Sequence, residues 1–193
     1  MNVETLFAPL GGIRPIGGGD KFKPMTEAEI SAFEKQIGAV LPEAYRKFLA
    51  SYGASTFNGA SPNNPYIVFR SLKPLPSHIA KNGKGLFDAF YGGEKDERDP
   101  HSLRVRFRFF SGRMPENIIP IGDDGGAGQI GLGIKGAETG KVYYWDQQNE
   151  PLDEEDYLED YGKPRPPEAM FQNVYQIAES FEDFLRRLET RVD

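Results

Sequence analysis

Few residues in this chain of 193 have the types and spacing that chemistry requires. Asp123-Asp124-Gly125-Gly126 is the best candidate for a metal or acid–base loop, because two adjacent carboxylates precede two glycines. A tight strand-to-strand turn uses the same residues, since Gly accepts positive φ and Asp bonds its own backbone. Calcium would need roughly six to eight oxygens, and the EF-hand spacing is absent. The turn is therefore the favoured reading. His78 and His101 are the only histidines; they lie far apart in loop-like sequence and are expected to face solvent. A zinc site or a His-based triad needs more partners. No GxSxG elbow, HExxH helix or Walker loop occurs in the sequence. No catalytic, cofactor-binding or metal-binding residue is assigned, and no enzyme is expected.

Two charged segments remain. In LRVRFRFF, Arg104, Arg106 and Arg108 alternate with Val105, Phe107 and Phe109, as in a strand with one basic face. In order of preference, that stripe wets a sheet face with long side chains, pairs with acids of the same chain, or docks an anionic group. Glu150 to Asp160 is dense in carboxylates and free of bases. It reads as a solvated loop, within an insertion at about 150–167, with no apolar pocket around it to shift a pKa. Asp153, Glu154, Glu155, Asp156 and Tyr157, with Arg104, Arg106, Arg108, Asp123 and Asp124, are the candidate partner-binding residues.

These residues need elements to position them. Thr26 and Glu29 form a capping box, and Met25 and Ile30 a hydrophobic staple. Ile30, Phe33 and Ile37 repeat at helical spacing before Gly38 stops the helix. Pro42 restarts a helix at its first position, with Leu41, Tyr45, Phe48, Leu49 and Tyr52 on one apolar face and Gly53 at its end. Residues 1–24 read as a Gly/Pro-rich extended or partly ordered arm with a hinge at Gly17, Gly18 and Gly19. Ser55 to Pro65 is a polar loop, and Tyr66 to Phe69 a short strand. Leu86, Phe87, Phe90 and Tyr91 suggest one face of a short helix. Met114 to Asp146 reads as a β-meander turning at 122–126 and 136–140. Tyr143, Tyr144 and Trp145 alternate faces, so at least one ring should point away from the core. Ser180 and Asp183 cap a final helix whose buried face is Phe181, Phe184, Leu185 and Leu188.

Composition narrows the function. There is no cysteine, which excludes disulfides and thiolate metal sites and suits a reducing cytoplasm, the expected compartment. No apolar run approaches the roughly 18 residues of a membrane helix. The N-terminal stretch lacks the basic-then-apolar pattern of a secretion signal. A formal charge of −6 argues against nucleic acid as a partner and suits a basic one.

Three blocks of the sequence resemble the SUKH superfamily of Smi/Knr-like proteins. The first is Ile30, Phe33, Glu34, Gly38, Leu41, Pro42, Tyr45, Phe48, Leu49 and Gly53, with Tyr52 where the family often has Asn. The second is Pro115, Ile118, Pro120, Ile121, Gly122, Asp123, Gly125 and Gly128, followed by Gly140, Val142, Tyr144 and Trp145. Gly133 stands where the family often has an acid. The third runs from Ala178 to Leu185. The resemblance covers about residue 25 to the C-terminus. It implies one domain over 25–193 and an α+β fold. That fold is a mostly antiparallel sheet with an N-terminal helical pair and a C-terminal helix packed on one face. It also implies a protein-binding module. Bacterial members are typically immunity proteins that neutralise a cognate toxin, here a basic one and in some cases a nuclease. The protein is then a monomer on its own, with no cofactor, nucleic acid or membrane. A fungal-type regulatory scaffold is the alternative, and an enzyme built on the Asp123 loop a remote one.

Overall fold

The computed structural model describes residues 4–16, 20–59, 66–93, 96 and 98–191. Its first elements are α1 (Glu4–Phe7), β1 (Ile13–Pro15), α2 (Glu27–Ile37), α3 (Glu43–Ser51) and β2 (Ser55–Phe57). There follow β3 (Ile67–Arg70), β4 (Ala80–Lys81), β5 (Lys84–Phe87), β6 (Ala89–Phe90) and α4 (Leu103–Phe109). The meander is β7 (Ile118–Asp123), β8 (Gln129–Gly133) and β9 (Val142–Trp145). The chain closes with α5 (Glu154–Tyr161), β10 (Val174–Ala178), α6 (Phe181–Arg187) and β11 (Leu188–Thr190). A seven-stranded antiparallel sheet runs β1-β2-β6-β7-β8-β9-β10, and a four-stranded one runs β11-β3-β5-β4. The fold is α+β.

The helical pair forms where its local signals lie. The Thr26 hydroxyl accepts from the Glu29 N–H, and the Glu29 carboxylate accepts from the Thr26 N–H at 2.8 Å. Met25 and Ile30 are buried, and Gly38 ends α2 at φ 63°. Pro42 caps α3 rather than entering it, and the helix starts at Glu43. Glu34 fastens the turn between the helices: its Oε1 accepts from the Leu41 N–H at 2.9 Å and from Arg46 Nε at 3.1 Å. Tyr52 packs its ring against Phe7, Phe22 and Phe48. At Gly133 a Cβ would lie 1.8 Å from the Glu138 carbonyl oxygen, so this backbone has no room for the acid expected there.

One aromatic core joins both sheets to the helices. Phe90 lies at its centre, 4.6 Å from Phe87 and 4.7 Å from Phe48, with Phe181, Phe184 and Phe57 around it. β9 alternates as expected, but both of its faces are covered. Val142 and Tyr144 enter the main core, while Tyr143 and Trp145 join Phe110, Met114 and Ile118 in a second buried cluster. No ring of that trio is left outside.

Several expectations fail for identifiable reasons. LRVRFRFF is helix, not strand. The Ser102 hydroxyl caps it by accepting from the Val105 N–H. Leu103, Phe107 and Phe110, at helical spacing, reach the two clusters. Strict alternation also contains positions i and i+4, and arginine favours helix over strand. Leu86 to Tyr91 is not helical; Phe87 lies in β5 and Phe90 in β6, with Leu86 turned outward. Gly85 permits this packing, because a Cβ there would stand 2.3 Å from the Phe69 ring. The N-terminal arm is packed onto the domain over 4–16, part helix and part extended strand. Phe7 and Leu10 are buried, and β1 pairs with β2 from Ile13↔Phe57 to Pro15↔Ser55. Ser55 to Phe57 is therefore strand, not loop. The hinge at Gly17, Gly18 and Gly19 lies outside the described residues.

Asp146 secures the exit of β9. Its Oδ2 takes His78 Nε2 at 2.8 Å and Asn149 Nδ2 at 2.6 Å, and its Oδ1 accepts from the Gln148 N–H at 3.0 Å. Burial alone would raise its pKa, but these bonds outweigh it and hold the carboxyl below its usual range.

Phe48→Ala and Phe184→Ala should each destabilise the protein by about 3–5 kcal/mol, since both rings are buried in the aromatic core. Denaturant midpoints that scarcely move would contradict this packing. A depressed carboxyl pKa stabilises the folded state above the unfolded value, and that contribution fades as pH falls through the folded one. The stability gap between wild type and Asp146→Asn should therefore be widest above about pH 4 and narrow below it. A gap independent of pH, in denaturant melts across the acid range, would count against the Asp146 linkage.

Candidate partner-binding surface

The acidic segment folds into α5, in place of the expected loop. Asp153 is its N-cap, accepting from the Asp156 N–H at 2.9 Å. Glu154, Glu155 and Asp156 occupy the first turn, where the helix dipole favours negative charge. Gly162 closes the helix at φ 67°, and Pro164, Pro166 and Pro167 prevent its continuation. The rest of its charge opposes it. Glu155 and Glu159, like Asp156 and Asp160, form like-charge pairs at i,i+4. Glu159 and Asp160 lie at the negative end of the dipole, and the last turn has no base.

This helix has no buried residue. Leu158 is 50% exposed and Tyr161 60% exposed, and the Tyr161 ring stacks on Tyr157 at 4.5 Å. The helix is fixed at its start instead. Glu150 makes a bidentate pair with Arg113, at 2.8 and 2.6 Å, and the Arg113 guanidinium lies over Phe109, Phe110 and Trp145. Arg165 donates from its backbone to Glu154 at 3.0 Å and from its guanidinium to the Leu152 carbonyl at 2.7 Å. Among the described residues, no base pairs with Glu155, Asp156, Glu159 or Asp160.

The arginines expected to form a stripe do not. On a helix, Arg104 and Arg108 share one side and Arg106 turns to the other. Arg104 reaches the Glu29 carbonyl at 3.2 Å. Arg106 donates to the Pro100 carbonyl at 2.6 Å and lies over the Tyr91 ring. Arg108 is exposed. The internal clamp on the acidic segment comes from Arg113 and Arg165. Neither has a periodic or motif signal; their positions beside prolines and glycines conceal the role.

Asp123 and Asp124 hold their own turn. Asp123 Oδ1 accepts from the Gly125 N–H at 2.9 Å. Asp124 accepts from the N–H groups of Gly126 and Gly128, and its Oδ2 from the Tyr144 hydroxyl at 2.7 Å. Burial raises the Asp123 pKa, with Gly125 and Tyr91 opposing it and Asp88 adding to it. Beside it the Tyr91 hydroxyl donates to Gln129 at 2.6 Å. Among the described residues, no three His, Asp or Glu side chains converge as metal ligands. The histidines are not isolated: His78 bonds Asp146, and His101 Nδ1 lies 3.5 Å from Asp99. The three arginines thus go to different partners, with Arg106 over the Tyr91 ring beside the Asp123 turn and Arg104 on α2.

Among the described residues, no helix is long and apolar enough to cross a membrane. A protein of Bacillus subtilis strain 168, the SPbeta prophage-derived uncharacterized protein YokK, is similar to this chain. It is 29% identical over 164 residues, which cover 83% of this chain and 72% of that one. The model of the SMI1/KNR4 family (SUKH-1) matches residues 24–187, from the staple of α2 to the end of α6. By that match, which spans most of its length, the chain belongs to the SMI1/KNR4 family.

Proposed function

We propose that this protein is a non-enzymatic binding module, an immunity protein that neutralises a cognate, basic bacterial toxin. The observation that carries this reading is the unbalanced charge of α5. A helix that buries nothing, carries like charges at i,i+4 and has two acids in its last turn is held by its scaffold against its own electrostatics. Violations of local rules of this kind concentrate at functional sites. A cationic partner would relieve the repulsion on contact and would be drawn toward the helix during encounter. Family membership supports a binding role, and a prophage-derived relative fits a gene carried by a mobile element. An enzyme built on the Asp123 loop is disfavoured, because both carboxylates are already engaged in turn and ring contacts.

The test neutralises the part of α5 that makes no internal bond. Glu155→Gln, Asp156→Asn, Glu159→Gln and Asp160→Asn together should leave the denaturant midpoint unchanged or slightly higher. They should also slow association with a co-expressed basic toxin by about tenfold or more and flatten its salt dependence. Asp153 and Glu154 are left intact, because they cap and anchor the helix. Unchanged association and unchanged protection of toxin-exposed cells would defeat the proposal.

A further inference from the structure

Next to α5 lies a groove of about 550 Å³. Met114 and Pro115, both buried, lie on the side of the α4–β7 connection, and Pro166, Pro167, Met170 and Phe171 on the other. It adjoins a smaller recess of about 220 Å³ that shares Met114, Pro115 and Lys135 and reaches Phe107 and Ile37. We propose that this groove receives one large apolar side chain carried on a cationic segment of the protein partner, a reading that rests on the binding role given to α5.

Three features support that occupant. The groove is preorganised. Prolines fix the backbone of the 164–167 strap, and Arg165 ties the strap to Leu152 and Glu154. A wall already ordered loses little entropy when filled. The walls of Met114, Pro115, Pro166, Pro167, Met170 and Phe171 are apolar and partly wet, with Phe171 40% exposed. An apolar recess beside a charged rim has the anatomy of an interface anchor. The charge then selects the partner. Within the groove Glu116 and Glu154 offset Lys135 and Arg165, whereas the adjoining helix is acidic throughout. A second copy of this chain presenting the same face in a two-fold contact would bring the acids of both α5 helices against each other. Nucleic acid and anionic membrane are repelled in the same way. A cationic protein segment satisfies both surfaces.

Methionine methyl signals provide the probe, because Met114 and Met170 line the groove while Met25 is buried in the main core. The chain is titrated to millimolar concentration with blocked peptides Lys-Arg-Trp-Lys-Arg, Lys-Arg-Ser-Lys-Arg and Glu-Asp-Trp-Glu-Asp. The basic Trp peptide should shift the Met114 and Met170 methyls and leave Met25 in place. The basic Ser peptide should move only α5 amides, and the acidic peptide neither set. Met170→Gln, uncharged and first verified as folded by its melt, should weaken the basic Trp peptide by about tenfold without changing the Ser peptide. Shifts confined to α5 with both basic peptides, and none with the acidic one, would overturn the groove and leave the acidic-helix reading intact. Equal filling by the acidic Trp peptide would overturn the cationic occupant. A concentration-dependent dimer that buries Met170 would assign the groove to a second copy instead.

Discussion

The structure depends on the burial of one set of aromatic rings around Phe90. That ring touches α3 through Phe48, β2 through Phe57, β5 through Phe87 and α6 through Phe181 and Phe184. Those elements come from both sheets and from both ends of the family match. None of the short strands would persist alone, because hairpins this small are marginal in water. Their pairing follows from the shared core, and the positions of the loops follow from the pairing.

The acidic helix occupies the opposite energetic position. It buries no residue and is held by two arginine clamps at its start, Arg113 on Glu150 and Arg165 on Glu154. Arg113 also stacks on the second aromatic cluster, so the clamp is anchored in packed rings rather than in surface charge alone. The Arg165–Glu154 pair, with its carboxylate largely in solvent, contributes little by itself. That second clamp therefore orients the helix more than it stabilises the fold. An exposed, oriented and electrostatically strained element on a rigid core suits recognition better than catalysis.

The sequence displayed what is encoded locally. The Thr26 capping box, the Gly38 stop, the turns at Asp123 and Gly136 and the Ser180 cap each involve residues within a few positions of one another. Long-range effects were hidden. The alternation of LRVRFRFF suits a strand, and the Ser102 cap together with contacts to Phe33 and the second cluster selects the helix. β10 has no strong period-2 signal and exists because β9 offers it an edge from Val174↔Trp145 onward. For α5, the density of carboxylates argued for a loop, while the Asp153 cap and the first-turn acids decided for a helix. The groove was invisible, because its walls come from residues 112–117 and 165–171, which no local pattern joins.

The central claim is that α5 and the strap after it form the partner-binding face. Hydrogen exchange of the protein with and without a co-purified basic toxin tests it most directly. Slower exchange confined to α5 and residues 165–171 is the predicted result. Protection on α2, α3 or the Asp123 turn, with α5 unchanged, would contradict it.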